Sequence, residues 1–406
     1  MNPYTQHDIS QDDIDSVIEV FRSGWLTQGP KVPEFEQLVA SYCGANHAVA
    51  VNSATSALHI ACVALDLGPK DWLWTSPNTF VASANCARYC GAYVDFVDID
   101  PYTYNMSADL LAAKLEQAEK DGRLPKIVVP VHFAGQPCDM PAIKALSQKY
   151  GFAIIEDASH ALGARYEISD VNAIKIGDIA KQQSMTQIKV GSCTHSDITV
   201  FSFHPVKMIT TGEGGMVLTN NDDLAKRLQR TRTHGITSDK ELMDGRPQNE
   251  IWNYQQIELG YNYRMTDIQA ALGVSQIKRL DKFVALRHQI ANYYDTELES
   301  LPITTPWQSP QTFSSYHLYP IRVKVGLTRK TQYQIYNSLR KNDIAVNLHY
   351  IPVHRQPYYE NLGFRVGDFP ESEQFHREVI SLPIYPSLAD RAWTMVVKGL
   401  QDAVYE

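Results

Sequence analysis

A lysine just past an apolar run is the first residue in this chain whose setting suggests chemistry. In SDITVFSFHPVKMITTGEGGMVLTN (196–220), the runs ITVFSF and GMVLTN flank Ser202, Lys207, two threonines and three glycines. Most lysines are solvated surface groups. Lys207 instead lies in an apolar, proline-bent loop immediately after a strand-like run, not on an amphipathic helix. Desolvation lowers a lysine's pKa and frees a neutral amine, the form that condenses with carbonyls. The glycines of GEGG let backbone approach such a site closely.

Three further clusters follow the same rule of polar groups after an apolar run. IIEDASHALGA (154–164) ends its run in Glu156 and Asp157. Such a pair is commonly a helix cap, but a buried carboxylate beside a pyridine nitrogen would keep that ring protonated and electron-withdrawing. NSATSA (52–57) is either a plain N-cap or a phosphate cradle of small hydroxyls and helix amides. SPNTF (76–80) puts Phe80 after another strand, where an aromatic is either core or ring-stacker. An amine, a carboxylate, a phosphate cradle and an aromatic, all after strands, together suit pyridoxal 5′-phosphate.

Other chemistries lack their signatures. There is no G-x-x-x-x-G-K-[ST], H-E-x-x-H or G-x-S-x-G, and no convincing G-x-G-x-x-G for a dehydrogenase. The thirteen histidines show no metal-ligand spacing, so no metal is expected. His132, His160 and His204 follow strand ends and could converge, although structural histidines are the default. The six cysteines, Cys43, Cys62, Cys86, Cys90, Cys138 and Cys193, form no C-x-x-C pair and read as free thiols of a reducing compartment. Cys86 and Cys90 could share one helix face.

The elements that must position these groups alternate in type. HAVAVN, WLWTSP, AYVDFVDID, KIVVPVHFAG and FAIIED are short apolar runs separated by helical patterns. Repeated βα units imply an α/β fold with a mainly parallel sheet covered on both faces, and such sheets bind ligands at their strands' C-terminal ends. Two stretches break the rhythm. Residues 167–190 form an apparent insertion, expected to be partly mobile, and 237–250 also looks extended. From Met265 a continuous helical pattern runs through DIQAALGVSQIKRLDKFVALRHQIANYYDTEL. A second unit follows, read as strand HLYPIRVKV, helix TRKTQYQIYNSLRKN, short strand IAVNL, a loop and a C-terminal helix. The expected division is 1–265, an N-terminal arm and large domain, and 266–406, a linking helix and small α+β domain.

Composition sets the outer bounds. The 406 residues are 44% hydrophobic and 20% charged, which is ordinary globular usage. Thirty-seven basic against 45 acidic residues give a net charge of −8, which disfavours nucleic acid and anionic membranes as partners. The polar, acidic N-terminus MNPYTQHDISQDDIDS does not resemble a signal peptide, and no run approaches a membrane span. A cytoplasmic location is expected.

The series NSATSALH, TSPNTFVAS, VHFAGQPCDM, EDASHALGA, FSFHPVKMITTGEGG and LGYNYRMTDIQAALG resembles the DegT/StrS family of nucleotide-sugar aminotransferases. The likeness runs from WLTQGPKVPEFE (25–36) to ISLPIYPSL (380–388). It implies fold type I of the pyridoxal-phosphate enzymes, aspartate aminotransferase-like, with a large seven-stranded, mainly parallel sheet. It also implies a homodimer with shared active sites and passage through pyridoxamine 5′-phosphate. By resemblance, Lys207 holds the cofactor and shuttles protons, Asp157 pairs with the pyridine nitrogen, and His160 lies near the ring's phenolic oxygen. Phe80 would stack on the ring; Ala54, Thr55 and Ser202 would hold the phosphate, joined by Asn262 from the neighbouring subunit. Tyr4, Leu26, Thr27, Gln28, Gly29, Ser56, Asn347, Leu348, His349 and Tyr350 would bind sugar nucleotide. Within the family the chain is most similar to the branch serving pseudaminic acid biosynthesis. That branch implies L-glutamate as donor and a UDP-linked 4-keto-6-deoxy-N-acetylhexosamine as acceptor, giving UDP-4-amino-4,6-dideoxy-N-acetyl-β-L-altrosamine. Another dTDP-, GDP- or UDP-linked keto sugar is the alternative acceptor, and a non-catalytic cofactor- or sugar-nucleotide-binding regulator the alternative class. Lys207 stands where a dehydratase branch carries histidine. The 167–190 and 237–250 stretches depart from the family pattern.

Overall fold

A computed structural model describes residues 3–169, 185–245, 250–324 and 326–405. The βα alternation becomes strands β1 (His47–Val51), β2 (Trp72–Thr75), β3 (Tyr93–Phe96), β4 (Ile127–Val129) and β5 (Ala153–Asp157). Between and before them lie α1 (Gln11–Arg22), α2 (Lys31–Cys43), α3 (Ala54–Ala64), α4 (Ala82–Tyr89), α5 (Ala108–Lys120) and α6 (Met140–Tyr150). The outer strands β6 (Arg165–Ser169) and β7 (Met185–Lys189) precede β8 (Ile198–Ser202) and β9 (Gly215–Thr219). Seven strands form one sheet in the order β1-β9-β8-β5-β4-β2-β3. Only β9 runs against the rest, pairing antiparallel with both β1 and β8. The parallel strands are buried on both faces, so they read as continuous apolar runs. One core cluster gathers Val49, Leu58, Phe96 and Val200; another, on the opposite face, gathers Trp74, Ile154, Phe201 and Met216.

Chain reversal after β9 leads through α7 (Asp222–Arg232) and a two-stranded ribbon of β10 (Ile236–Thr237) and β11 (Gln255–Gln256). Helices α8 (Asp267–Ile277) and α9 (Leu280–Glu297) then carry the chain onward. The sequence pattern reads as one helix here. The structure breaks it at Lys278–Arg279, where the Arg279 guanidinium bonds Asp8 and Asp13 at the start of α1. Ala270 and Val274 of α8 join the large sheet's core, whereas Ile290 and Tyr294 of α9 join a separate core.

That second core belongs to a three-stranded antiparallel sheet of β12 (Ile303–Thr304), β14 (Tyr319–Val323) and β15 (Val379–Leu382). The two-residue β13 (Thr312–Phe313) pairs instead with β6, which pairs with β7. Helices α10 (Gln332–Lys341), α11 (Pro357–Glu360), α12 (Pro370–Glu378) and α13 (Asp390–Tyr405) complete the described chain. The expected strand IAVNL forms no ladder and carries isolated bridge residues at Ile344 and Asn347, the latter paired with Ser381. Thereafter the backbone leaves the sheet toward the large unit, where the Val353 amide donates to the Pro77 carbonyl at 2.8 Å. Of the two irregular stretches, residues 170–184 and 246–249 lie outside the described residues.

Candidate active site

Strand alternation decides which of the paired carboxylates does chemistry. Successive side chains on β5 point to opposite faces, and the two surroundings differ. Glu156 turns into the interior, where His132 Nε2 donates to it at 2.8 Å. Ser196 and Thr199 donate to its other oxygen. Burial works against its charge, but His132, Ser196 and Thr199 outweigh it and hold the carboxyl below the usual range. His132 is thereby absorbed into a structural network: its Nδ1 accepts from the Cys138 amide at 3.0 Å, which leaves its hydrogen on Nε2.

Asp157 turns the other way, toward a cavity of about 580 Å³ at the C-terminal ends of the strands. Both of its oxygens are held. Ser83 Oγ donates to Oδ2 at 2.6 Å, and the Ser159 hydroxyl and amide donate to Oδ1 at 2.6 and 3.1 Å. All three donors are neutral, so the carboxylate is fixed in place while its charge stays unpaired.

Lys207 lines the same cavity. Burial lowers its ammonium pKa to about 8, with Asp157 pulling the other way. A neutral amine is therefore populated near neutrality. Around it stand His160, His317 and His349, all uncharged. Burial, then the Lys207 charge, pushes His349 down to about 3 and His160 well below its ordinary range. His160 Nε2 meets the Tyr350 hydroxyl at 3.2 Å, while its buried Nδ1 has no partner within the described chain. His317 packs on it at 4.4 Å between ring centroids. The Ser315 hydroxyl donates to the His160 carbonyl at 2.6 Å, pinning the His317 segment against β5's exit loop.

The phosphate end of the cavity is the start of α3. Ser53 caps the helix by accepting from the Ser56 amide at 3.1 Å. This leaves the amides of Ala54 and Thr55 without intrahelical acceptors, and both residues line the cavity together with Ser202. Gly215 makes the geometry possible. A Cβ there would stand 2.6–2.7 Å from the backbone of Ser53 and Ala54. Phe80 is 59% exposed and lines the cavity, so its ring face is open to a ligand and does not belong to the core.

Asn347, Leu348, His349 and Tyr350 line the cavity as well, and Tyr4 reaches it from the N-terminal arm, 5.7 Å from the His349 ring. Other sequence-derived candidates lie elsewhere. Ser56 is buried inside the first turn of α3, with its hydroxyl spent on Asn52 Oδ1 at 2.7 Å, and it does not line the cavity. Leu26, Thr27 and Gln28 are exposed and away from the cavity of their own chain, as is Asn262. Gly29 is packed against Trp25 and Asp267. Sequence reasoning missed Ser83, Ser159 and His317. Serines carry no pattern of their own, and His317 arrives from the loop before β14, 157 positions after His160. Among the described residues no group of three or more ligating side chains is arranged for a metal, and no helix is long and apolar enough to cross a membrane.

This donor set fits pyridoxal 5′-phosphate: an available amine, a held carboxylate at the far end, a helix start for a dianion, an open aromatic face and an orphaned imidazole nitrogen. Comparison with known proteins gives the same answer. Residues 7–401 match the model of the DegT/DnrJ/EryC1/StrS aminotransferase family. The chain is 38% identical to the spore coat polysaccharide biosynthesis protein SpsC of Bacillus subtilis, covering 99% of this chain and 97% of that one. It is 36% identical to the UDP-4-amino-4,6-dideoxy-N-acetyl-beta-L-altrosamine transaminase of Campylobacter jejuni, covering 96% and 93%. Among solved structures, Helicobacter pylori PseC, an aminotransferase of pseudaminic acid biosynthesis, superposes with a TM-score of 0.84 at 28% identity, covering 99% and 98%. A sugar aminotransferase from Streptococcus pneumoniae, Spr1654, solved in its pyridoxamine-phosphate form, gives 0.84 at 30% identity, covering 100% and 99%.

Proposed function

The chain belongs to the DegT/DnrJ/EryC1/StrS aminotransferase family, and on that premise we propose that it aminates C4 of a UDP-linked 4-keto-6-deoxy-N-acetylhexosamine with L-glutamate as donor. The product would be UDP-4-amino-4,6-dideoxy-N-acetyl-β-L-altrosamine. The fold is type I of the pyridoxal-phosphate enzymes, the chain is a transaminase, and pyridoxal 5′-phosphate is its cofactor. What supports the acceptor is near-full-length similarity to an enzyme named for that product.

Pyridoxal phosphate supplies the electron sink that lets a proton leave carbon. The chain's own groups do the rest. Lys207, the only lysine lining the cavity among the described residues, would hold the cofactor through its nitrogen and, when free and neutral, would serve as the base within the same cavity. In the first half-reaction it takes the proton from the donor's α-carbon. In the second it returns a proton to C4 of the sugar. Asp157, locked by Ser83 and Ser159, would hold its charge against the pyridine nitrogen. Ala54, Thr55 and Ser202 would anchor the phosphate, and Phe80 would cover one ring face. Asn347 to Tyr350 and Tyr4 line the side from which a sugar approaches.

Leu26 to Gly29 and Asn262 are not among the residues lining their own chain's cavity. We assign Asn262 to the phosphate of a partner subunit and the 26–29 stretch to a partner's sugar, in a cytoplasmic homodimer whose two sites each draw on both chains. A second acceptor reading, another nucleotide-linked keto sugar, rests on the comparable 38% identity to SpsC.

The test is a panel of UDP-, dTDP- and GDP-linked 4-keto-6-deoxy sugars with glutamate, followed by 2-oxoglutarate release and NMR of the product. The UDP-N-acetylhexosamine derivative should react with the highest kcat/KM and give an amine with the C4 configuration of the altrosamine product. Preference for a dTDP- or GDP-sugar would overturn the acceptor assignment and leave the aminotransferase assignment standing.

A further inference from the structure

The inward stripe of α9 repeats at helical spacing through Leu280, Phe283, Val284, Arg287, Ile290, Ala291 and Tyr294. All of these suit a core except Arg287, which is 1% exposed. Buried arginines are ordinarily paired with a carboxylate. Among the described residues this guanidinium meets only carbonyls. Its Nη1 donates to Ile384, just past β15, at 2.8 Å, and to Tyr316 and His317 at 3.2 Å each. Its Nε has no partner there. Apolar side chains of similar volume often serve the stability of such a position as well or better, so the reason for the cation lies in what it holds.

The segment it holds is strained. Tyr316 is buried with φ at +48°, in the left-handed region that a bulky residue enters only where its surroundings enforce it. Enforcement comes from two sides. On the side of the large unit, the Ser315 amide donates to the Gly135 carbonyl at 3.1 Å, and the Ser315 hydroxyl holds the His160 carbonyl. Gly135 is itself left-handed, and a Cβ there would collide with Ser315 Oγ. Arg287 supplies the other side, from α9. The turn so held delivers the His317 ring to the cavity, 4.4 Å from the His160 ring, with its buried Nδ1 unpartnered within the described chain. A narrow internal gap is lined by both Arg287 and Lys207, which puts the guanidinium behind the cofactor lysine.

We propose that Arg287 is a positioning residue of the transamination site. By tying the Tyr316 and His317 carbonyls to the end of β15, it fixes the His317 imidazole on His160, and with it the surroundings of the cofactor ring. The proposal rests on the pyridoxal-phosphate reading of the cavity. Arg287 does not line that cavity, so its effect passes through His317. Without the guanidinium, one of the two restraints on the turn is gone, and Tyr316 relaxes toward an ordinary φ.

The test is a double-mutant cycle on the cofactor-loaded protein with Arg287→Met, His317→Asn and the pair together. Visible circular dichroism reads the cofactor's surroundings, and stopped-flow absorbance reads its conversion at saturating glutamate. Each single variant should alter the dichroic band in the same way and slow conversion about tenfold, and the pair should be no slower than either. Tyr294→Phe is the control, because it removes a bond from the same helix to the Pro383 carbonyl and leaves the 316–317 turn alone. It should lower Tm and keep the parent's band and rate. Arg287→Lys, which retains the charge but not the fork, should fall between the parent and Arg287→Met, and it carries the cycle if Arg287→Met does not fold. Independent effects in the pair, about a hundredfold together, would overturn the proposal. So would a parent-like band and rate in Arg287→Met, or a control slowed as much as Arg287→Met. A parent chain with no cofactor band at all would instead refute the reading of the cavity, and the proposal with it.

Discussion

Adding one methyl group at Gly215 probes the phosphate cradle from behind. Its φ is not in the left-handed region, so alanine brings steric conflict without backbone strain. The added Cβ would stand 2.6 Å from the Ser53 carbonyl carbon and oxygen and 2.7 Å from the Ala54 nitrogen. Ordinary contacts begin near 3.4 Å, so the α3 entry must move by roughly 0.7 Å or β9 must leave its ladder. Overpacking of this kind costs about 1–3 kcal/mol. If the displaced element is the cradle, that cost falls on phosphate binding and corresponds to a loss of about 5- to 150-fold in affinity. The assay is spectroscopic titration of Gly215→Ala apoenzyme with pyridoxal 5′-phosphate and, separately, with pyridoxal, which has no phosphate. The expected outcome is a loss confined to the phosphorylated form, with an unchanged Tm before cofactor is added. Equal loss for both aldehydes, or no loss for either, would refute the assignment of Ala54 and Thr55 as the phosphate anchor.

Further outcomes follow from the same geometry. Capture of cofactor by the apoenzyme should quicken with pH, about tenfold per unit below 8 and levelling above it, because the lowered Lys207 pKa releases its neutral amine through that range; stopped-flow absorbance reads this, and a flat profile would count against it. Asp157→Asn should cut turnover roughly a hundredfold or more, at about 3 kcal/mol for an unpaired pyridinium, with little change in Tm. Glu156→Ala should instead cost about 3–5 kcal/mol of stability by stranding buried His132, and calorimetry separates the two. In the parent chain the depressed Glu156 carboxyl contributes stability above the usual carboxylate range that is lost as pH falls through its folded pKa. Mixing Lys207→Ala with Asn262→Ala subunits should restore activity in the hybrid, since one site then holds Lys207 of one chain and Asn262 of the other; no rescue after confirmed subunit exchange would exclude a shared site.

The residues legible in the sequence were those whose chemistry is marked by local context. Lys207, Asp157, Ala54, Thr55 and Phe80 each follow an apolar run, and the sheet delivers all five to one end. The Glu156–Asp157 ambiguity was not local. Period-two alternation separates the pair onto opposite faces, yet which face is the cavity depends on Ser196, Thr199 and His132, which come from β8, the loop before it and the loop after β4. Ser83 and His317 were invisible for a related reason: each acts through a partner distant in the chain, Asp157 in one case and His160 in the other. The helical pattern across 267–297 concealed a break because the agent of the break, Asp8 and Asp13 holding Arg279, lies at the opposite end of the sequence. Ser56 was implied as a sugar contact by resemblance alone, and its burial and its bond to Asn52, neither written in the local sequence, turn its hydroxyl inward.

Everything proposed for the cavity depends on one nitrogen, and it can be identified chemically. Reduction of the cofactor-loaded protein with borohydride, followed by proteolysis and mass spectrometry, fixes the pyridoxyl group to the residue that held it. The account predicts a single label on Lys207, on the peptide spanning FSFHPVKMITTGEGG, and none in Lys207→Ala. A label on any other lysine, or an unlabelled protein, would contradict it.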